Sequence, residues 1–122
     1  MEKIKVLIAD DHRVVREGLA AILKTKDDIH VLGEAQDGME AVEKARALLP
    51  DVILMDVSMP RMGGVEATRQ IKREFPHIGV VALTMYEEQQ YIFDLVRAGA
   101  TGYLLKDSES SQIVAAIRAI YR

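Results

Sequence analysis

The sequence predicts an α/β fold, an open, doubly wound, five-stranded parallel sheet with helices on both faces, and three observations predict it. Five short runs are rich in Val, Ile and Leu and mostly lack polar alternation: Ile4–Ala9, Ile29–Gly33, Val52–Met55, Val80–Leu83 and Gly102–Leu105. Strands covered on both faces read this way, as in a parallel sheet. Each run is followed by apolar residues at helical spacing. The strand starts, near residues 4, 29, 52, 79 and 102, recur at the length of one strand plus one crossover helix. Five such units are too few for an eight-stranded barrel. An open sheet with right-handed crossovers remains.

Each element follows in order. After the first strand, Val15, Leu19, Ile22 and Leu23 share one helical face. After the second, Val42, Ala45 and Leu49 do so, and Pro50 ends the helix. Val65, Thr68, Ile71 and Phe75 mark the third helix, stopped by Pro76. Tyr91, Leu95 and Val96 mark the fourth, with Gly99 at its C-terminal cap. Ile113, Ala116, Ile117 and Ile120 mark the fifth, still amphipathic where the chain stops at Tyr121-Arg122. No linker, low-complexity stretch or longer repeat interrupts the pattern, so residues 1–122 are expected to form one domain.

Composition narrows the function. The 122 residues are 49% hydrophobic and 29% charged, the profile of a globular chain, with a net charge of −3. No basic excess points to nucleic acid, and Arg118 with Arg122 reads as a solvated face. Cysteine is absent, which removes disulfides, thiolate chemistry and sulfur-bound metals. No apolar run reaches the length of a membrane span and no signal-peptide pattern opens the chain, so a cytoplasmic location is expected.

In open α/β sheets, sites form beyond the carboxyl ends of the strands. There the first strand ends in Asp10-Asp11, the third in Asp56, the fourth in Thr84 and the fifth in Lys106. Three carboxylates beside one ammonium repel one another unless a divalent cation holds them ionised. Oxygen ligands without His or Cys point to Mg²⁺, which keeps room for waters and a phosphoryl oxygen. Each residue has an ordinary alternative: Asp11 as a helix N-cap, Asp56 as a turn former, Thr84 as a cap of the fourth helix, Lys106 as a solvated lysine. Their convergence on one sheet edge favours a site. His12, His30 and His77 are read as unrelated to it.

These residues carry a family resemblance. Val6-Leu7-Ile8-Ala9-Asp10-Asp11-His12, Asp51-Val52-Ile53-Leu54-Met55-Asp56-Val57-Ser58-Met59-Pro60, Met62-Gly63-Gly64, Ala82-Leu83-Thr84 and Ala98-Gly99-Ala100-Thr101-Gly102-Tyr103-Leu104-Leu105-Lys106 resemble a receiver domain of a bacterial two-component response regulator over the whole chain. The resemblance implies a flavodoxin-like sheet of order 2-1-3-4-5. It implies that Asp56 accepts a phosphoryl group from a sensor histidine kinase, with Mg²⁺ held by Asp11, Asp56 and the carbonyl of Ser58, and Asp10 acting through water. Thr84 and Lys106 would bind phosphoryl oxygens, and Tyr103 would swing between outward and inward rotamers. A carboxylate nucleophile is already ionised near neutral pH, so it needs no general base. The expected role is that of an acceptor rather than an enzyme, with slow self-dephosphorylation at most.

Lys106 is followed by Asp107, where many receivers have proline. Leu-Leu-Lys-Asp together with Asp-Asp-His resembles the NarL/FixJ branch, whose members carry a C-terminal LuxR-type helix-turn-helix domain. Such a domain is expected beyond this chain, controlling transcription through DNA that these residues do not touch. Phosphorylation is expected to change the surface of the fourth helix, fifth strand and fifth helix and to favour a homodimer. Ser58 and Tyr86 are expected to tune the lifetime of the phosphoryl group.

Rival readings remain. A stand-alone phosphorelay receiver differs only in lacking an output domain. A receiver that serves solely as an interaction module would lack phosphorylation. A metal-dependent phosphohydrolase working through an aspartyl phosphate would want a second Asp where Ser58 stands. A flavodoxin-like cofactor binder would need a phosphate-cradling loop in place of Asp10-Asp11.

Overall fold

A computed structural model describes residues 2–85 and 89–122, the side chains of residues 89–91 excepted. Five strands alternate with five helices: β1 (Ile4–Ala9), α1 (Arg13–Lys24), β2 (Ile29–Ala35), α2 (Gly38–Leu48), β3 (Val52–Asp56), α3 (Gly64–Glu74), β4 (Gly79–Thr84), α4 (Gln89–Ala98), β5 (Gly102–Leu105) and α5 (Ser110–Tyr121). The strands are all parallel and lie in the order β2-β1-β3-β4-β5. The expected fold is the one observed.

The two-residue period of the strands sorts the apolar residues onto two faces. Ile4, Val6 and Ile8 of β1 and Val52 and Leu54 of β3 join the core beneath α1 and α5, with Leu23 and Ile117. Leu7, Ala9, Ile53 and Met55 join the opposite core beneath α2 and α3, with Val42 and Ile71. A smaller cluster of Val57, Ala82 and Leu95 seats α4. Both faces of β1, β3 and β4 are therefore covered, which is why their sequences read as unbroken apolar runs.

The strands run slightly further than their apolar runs. β2 extends to Ala35 through Glu34, and β3 and β4 include Asp56 and Thr84, because backbone pairing continues past the last apolar side chain. The β1–β2 register slips between Val6 and Leu7, so Leu32 bulges out of the ladder. Helix ends follow the sequence signals: α2 closes at Leu49 in a left-handed conformation before Pro50, and α4 ends before Gly99.

Three helical faces depart from expectation; in α2, Leu49 is half exposed at the left-handed C-cap instead of sharing the buried face of Val42 and Ala45. In α1 the buried face is Arg16, Leu19, Ala20 and Leu23, while Val15 and Ile22 stand over one third exposed. The stripe is rotated by one position because a partly buried arginine occupies its first place. In α4 Leu95 is buried and Val96 is exposed. Arg118 meets Asp28 through two hydrogen bonds of 2.8 and 2.9 Å, tying α5 to the turn before β2. No helix among the described residues is long and apolar enough to cross a membrane.

Candidate phosphoryl and metal site

The carboxyl ends of β1, β3, β4 and β5 meet in one cleft of about 210 Å³, lined by Asp11, Asp56, Ser58, Thr84 and Lys106 among others. Asp10 and Asp11 leave β1, Asp56 closes β3, Thr84 closes β4 and Lys106 follows β5. The crevice opens where the chain reverses direction across the sheet, with β2 on one side of β1 and β3 on the other.

Backbone geometry places Asp56. The β3–α3 loop folds back so that Gly64 donates its N–H to the Val57 carbonyl at 2.9 Å. A Cβ on Gly64 would lie 2.1 Å from the Asp56 carbonyl oxygen, so this position admits only glycine. Asp10 is completely buried, and its Oδ1 accepts the His12 N–H at 2.8 Å. The Lys106 ammonium stands 3.1 Å from Asp10 Oδ2 and 3.1 Å from Asp56 Oδ1. Asp56 Oδ1 also accepts the Ser58 N–H at 3.2 Å. The other oxygen, Asp56 Oδ2, is buried and has no hydrogen-bond partner among the described residues.

The electrostatics match this imbalance. Burial, then repulsion from Asp10, pushes the Asp56 carboxyl up to about 6, against the pull of Lys106 and the Ser58 N–H. Burial works against the Lys106 ammonium, but its hydrogen bonds to Asp10 and Asp56 outweigh that and raise its pKa above the ordinary lysine value. The lysine alone leaves the carboxylates short of positive charge. One ligand atom from each of Asp10, Asp11, His12 and Asp56 falls within 4.8 Å of the others. Like Asp56 Oδ2, Asp11 Oδ1 is buried without a hydrogen-bond partner among the described residues, and the oxygens of this set suit a small hard cation.

Of the expected residues, Asp10, Asp11, Asp56, Ser58, Thr84 and Lys106 are brought together. Tyr103 is not: it is 44% exposed and lines a separate groove with Leu95, Val96 and Ala100 between α4 and β5. Tyr86 lies outside the described residues. The expectation that His12 has nothing to do with the site is corrected. The β1–α1 turn folds its imidazole over the rim, with Nδ1 3.1 Å from Asp11 Oδ1 and 3.3 Å from Asp10 Oδ1. His12, not Asp11, is also the residue at the N-cap of α1. Sequence reading missed Arg16 as well. Its Nη1 donates to the Asp10 carbonyl at 2.8 Å and its Nε to Glu34 Oε1 at 3.2 Å, fastening the turn that carries both aspartates. A charged residue in step with the apolar face of α1 is the signal that could have found it.

The sequence matches the response regulator receiver domain family over residues 6–118. It is 44% identical over 120 residues to the oxygen regulatory protein NreC of Staphylococcus carnosus, covering 98% of this chain and 55% of that protein. It is 48% identical over 118 residues to the response regulator protein VraR of Staphylococcus saprophyticus, covering 97% and 56%. The chain thus spans about half the length of the curated relatives it matches. Among solved structures, it superposes with a TM-score of 0.92 on a two-component response regulator of the LuxR family from Aurantimonas, at 33% identity over 98% of this chain and 86% of that one. The response regulator domain of Thermotoga maritima CheB matches at 33% identity with a TM-score of 0.91, over 98% and 97%. The chain belongs to the receiver domains of two-component response regulators, with relatives of the LuxR type.

Proposed function

We propose that this domain accepts a phosphoryl group on Asp56 from a sensor histidine kinase, with Mg²⁺ bound, and that this switches its α4–β5–α5 surface. The observation that carries the reading is the divided Asp56 carboxylate: Oδ1 is held by Lys106 and Ser58, while Oδ2 is buried on the cleft wall without a partner among the described residues. That oxygen is the nucleophile. It forms the new O–P bond as the P–N bond to the kinase imidazole breaks, and the electron pair returns to that imidazole. No proton has to leave Asp56 when the carboxylate is ionised.

Asp11, Asp56 and the Ser58 carbonyl are the ligands that would hold Mg²⁺, with Asp10 beside them. When bound, the cation supplies charge neutralisation to the phosphoryl oxygens. Lys106 pairs with one of those oxygens and Thr84 donates its hydroxyl to another. His12 belongs to the rim rather than the ligand set, because Mg²⁺ prefers oxygen.

The added group brings roughly two negative charges and three acceptor oxygens. Lys106 follows β5 directly, so drawing it towards the phosphoryl group biases β5 and its Tyr103, which turns inward from the α4–β5 groove. The exposed Phe93 and Val96 then serve pairing between two copies. Ser58, at the cleft mouth, and Tyr86 set the lifetime of the phosphoryl group by controlling access of water. Matched relatives nearly twice as long, one of them the transcriptional regulatory protein LiaR of Bacillus subtilis, support a DNA-binding output domain beyond these residues and a cytoplasmic setting. A gene with a stop codon directly after Arg122 would refute the output domain.

Beryllofluoride with Mg²⁺, followed by ¹⁵N NMR, tests the switch. Shifts at Thr84, Lys106 and along α4, β5 and α5 are expected. A spectrum that does not move would overturn it.

A further inference from the structure

We propose that Arg61 is a positioning residue for the cation site: its ion pair with Asp37 fixes the β3–α3 loop and, with it, the main chain of Ser58. The inference rests on the reading of the Ser58 carbonyl as a Mg²⁺ ligand.

Arg61 has a φ of 64°, the left-handed conformation that residues other than glycine adopt only at a cost. Something must hold it there. Its Nε and Nη2 both donate to Asp37 Oδ2, at 3.0 and 2.6 Å. The Asp37 side chain is 5% exposed, so this carboxylate meets its partner largely away from water. Its other oxygen accepts the Glu40 N–H at 2.8 Å and caps α2. The Glu40 N–H and, after it, Arg61 outweigh the effect of burial and hold the Asp37 carboxyl below the ordinary carboxylate value.

The loop is in backbone contact with α2 at the same point. Gly38 donates to the Met62 carbonyl at 2.9 Å, and a Cβ on Gly38 would lie 2.2 Å from that oxygen. At its base the loop is closed by the Val57–Gly64 bond. Ser58 therefore sits in a segment tied at the base to its own strand and at the tip to α2. At the tip, the side-chain part of the tie is one exposed arginine that reaches a buried acid, beside the Gly38–Met62 backbone bond.

Arg61→Gly and Asp37→Asn separate positioning from stability. Glycine relieves the left-handed backbone while it removes the pair, and asparagine caps a helix about as well as aspartate. Mg²⁺ titration followed by ¹⁵N NMR should show about tenfold weaker binding in each variant, as is usual when the support of a metal ligand is lost. The double variant should be no weaker than either single one, and thermal melts should confirm that all are folded. A long-range field effect would move the two in opposite directions, because one variant removes a positive charge and the other a negative one. Opposite shifts, or unchanged affinity in both, would overturn the inference. Wild-type protein that does not bind Mg²⁺ would overturn the cation site itself, and this inference with it.

Discussion

Lys106 Nζ stands 3.1 Å from Asp56 Oδ1, and this contact engages only one of the two Asp56 oxygens. The same ammonium is 3.1 Å from Asp10 Oδ2, so a single positive charge is shared between two buried carboxylates. The site is built to take up more positive charge, and then a group with oxygens of its own.

Removing the Asp56 charge should stabilise the protein when no Mg²⁺ is present. Burial and the neighbouring Asp10 push the Asp56 carboxyl up to about 6, from an ordinary value of 3.8. Between roughly pH 4 and 6 the folded chain retains a proton that the unfolded chain has lost, so wild-type stability falls as pH rises through this window. The loss is complete above about pH 6. In urea denaturation, Asp56→Asn should therefore be more stable than wild type at pH 7.5. The advantage should vanish near pH 4. Equal stability at both pH values would show that the Asp56 charge is not strained.

Taking away the shared ammonium should do the reverse. Lys106→Ala leaves Asp10 and Asp56 buried together without a cation and should cost about 3–5 kcal/mol near neutral pH. Because the lysine competes for the same carboxylates, added Mg²⁺ should stabilise Lys106→Ala more than wild type. Melting temperatures across a MgCl₂ series would show this. A smaller Mg²⁺ effect in the variant would contradict the account of a shared charge.

How much of this is legible in the sequence depends on the kind of pattern. Asp10, Asp11, Asp56, Thr84 and Lys106 can be read because a parallel sheet sends the carboxyl ends of its strands to one edge, and each apolar run marks its own end. The order β2-β1-β3-β4-β5 came from family resemblance, since apolar periodicity does not say which strands are neighbours. Charged residues used inside the fold are harder. Arg16 takes a place on the buried face of α1, which a search for apolar residues passes over. His12 reaches the rim through a turn whose direction the sequence does not show. The Arg61–Asp37 pair joins two loops 24 residues apart, and neither carries a local signal of the other.

Gly64 offers a test of how the backbone places the acceptor. Gly64→Ala forces a Cβ against the Asp56 carbonyl, where no flexible side chain can yield. Overpacking of this kind typically costs about 1–3 kcal/mol. The variant should melt lower and bind Mg²⁺ more weakly, because the turn that must open is the one bearing Ser58. Loss of stability with unchanged Mg²⁺ affinity would separate the turn from the site.

The most direct test of the central claim is intact mass after incubation with acetyl phosphate, with and without Mg²⁺, beside an Asp56→Asn control. The account predicts a gain of one phosphoryl group that requires Mg²⁺ and is absent in the control. A gain that persists in Asp56→Asn, or that ignores Mg²⁺, would contradict it.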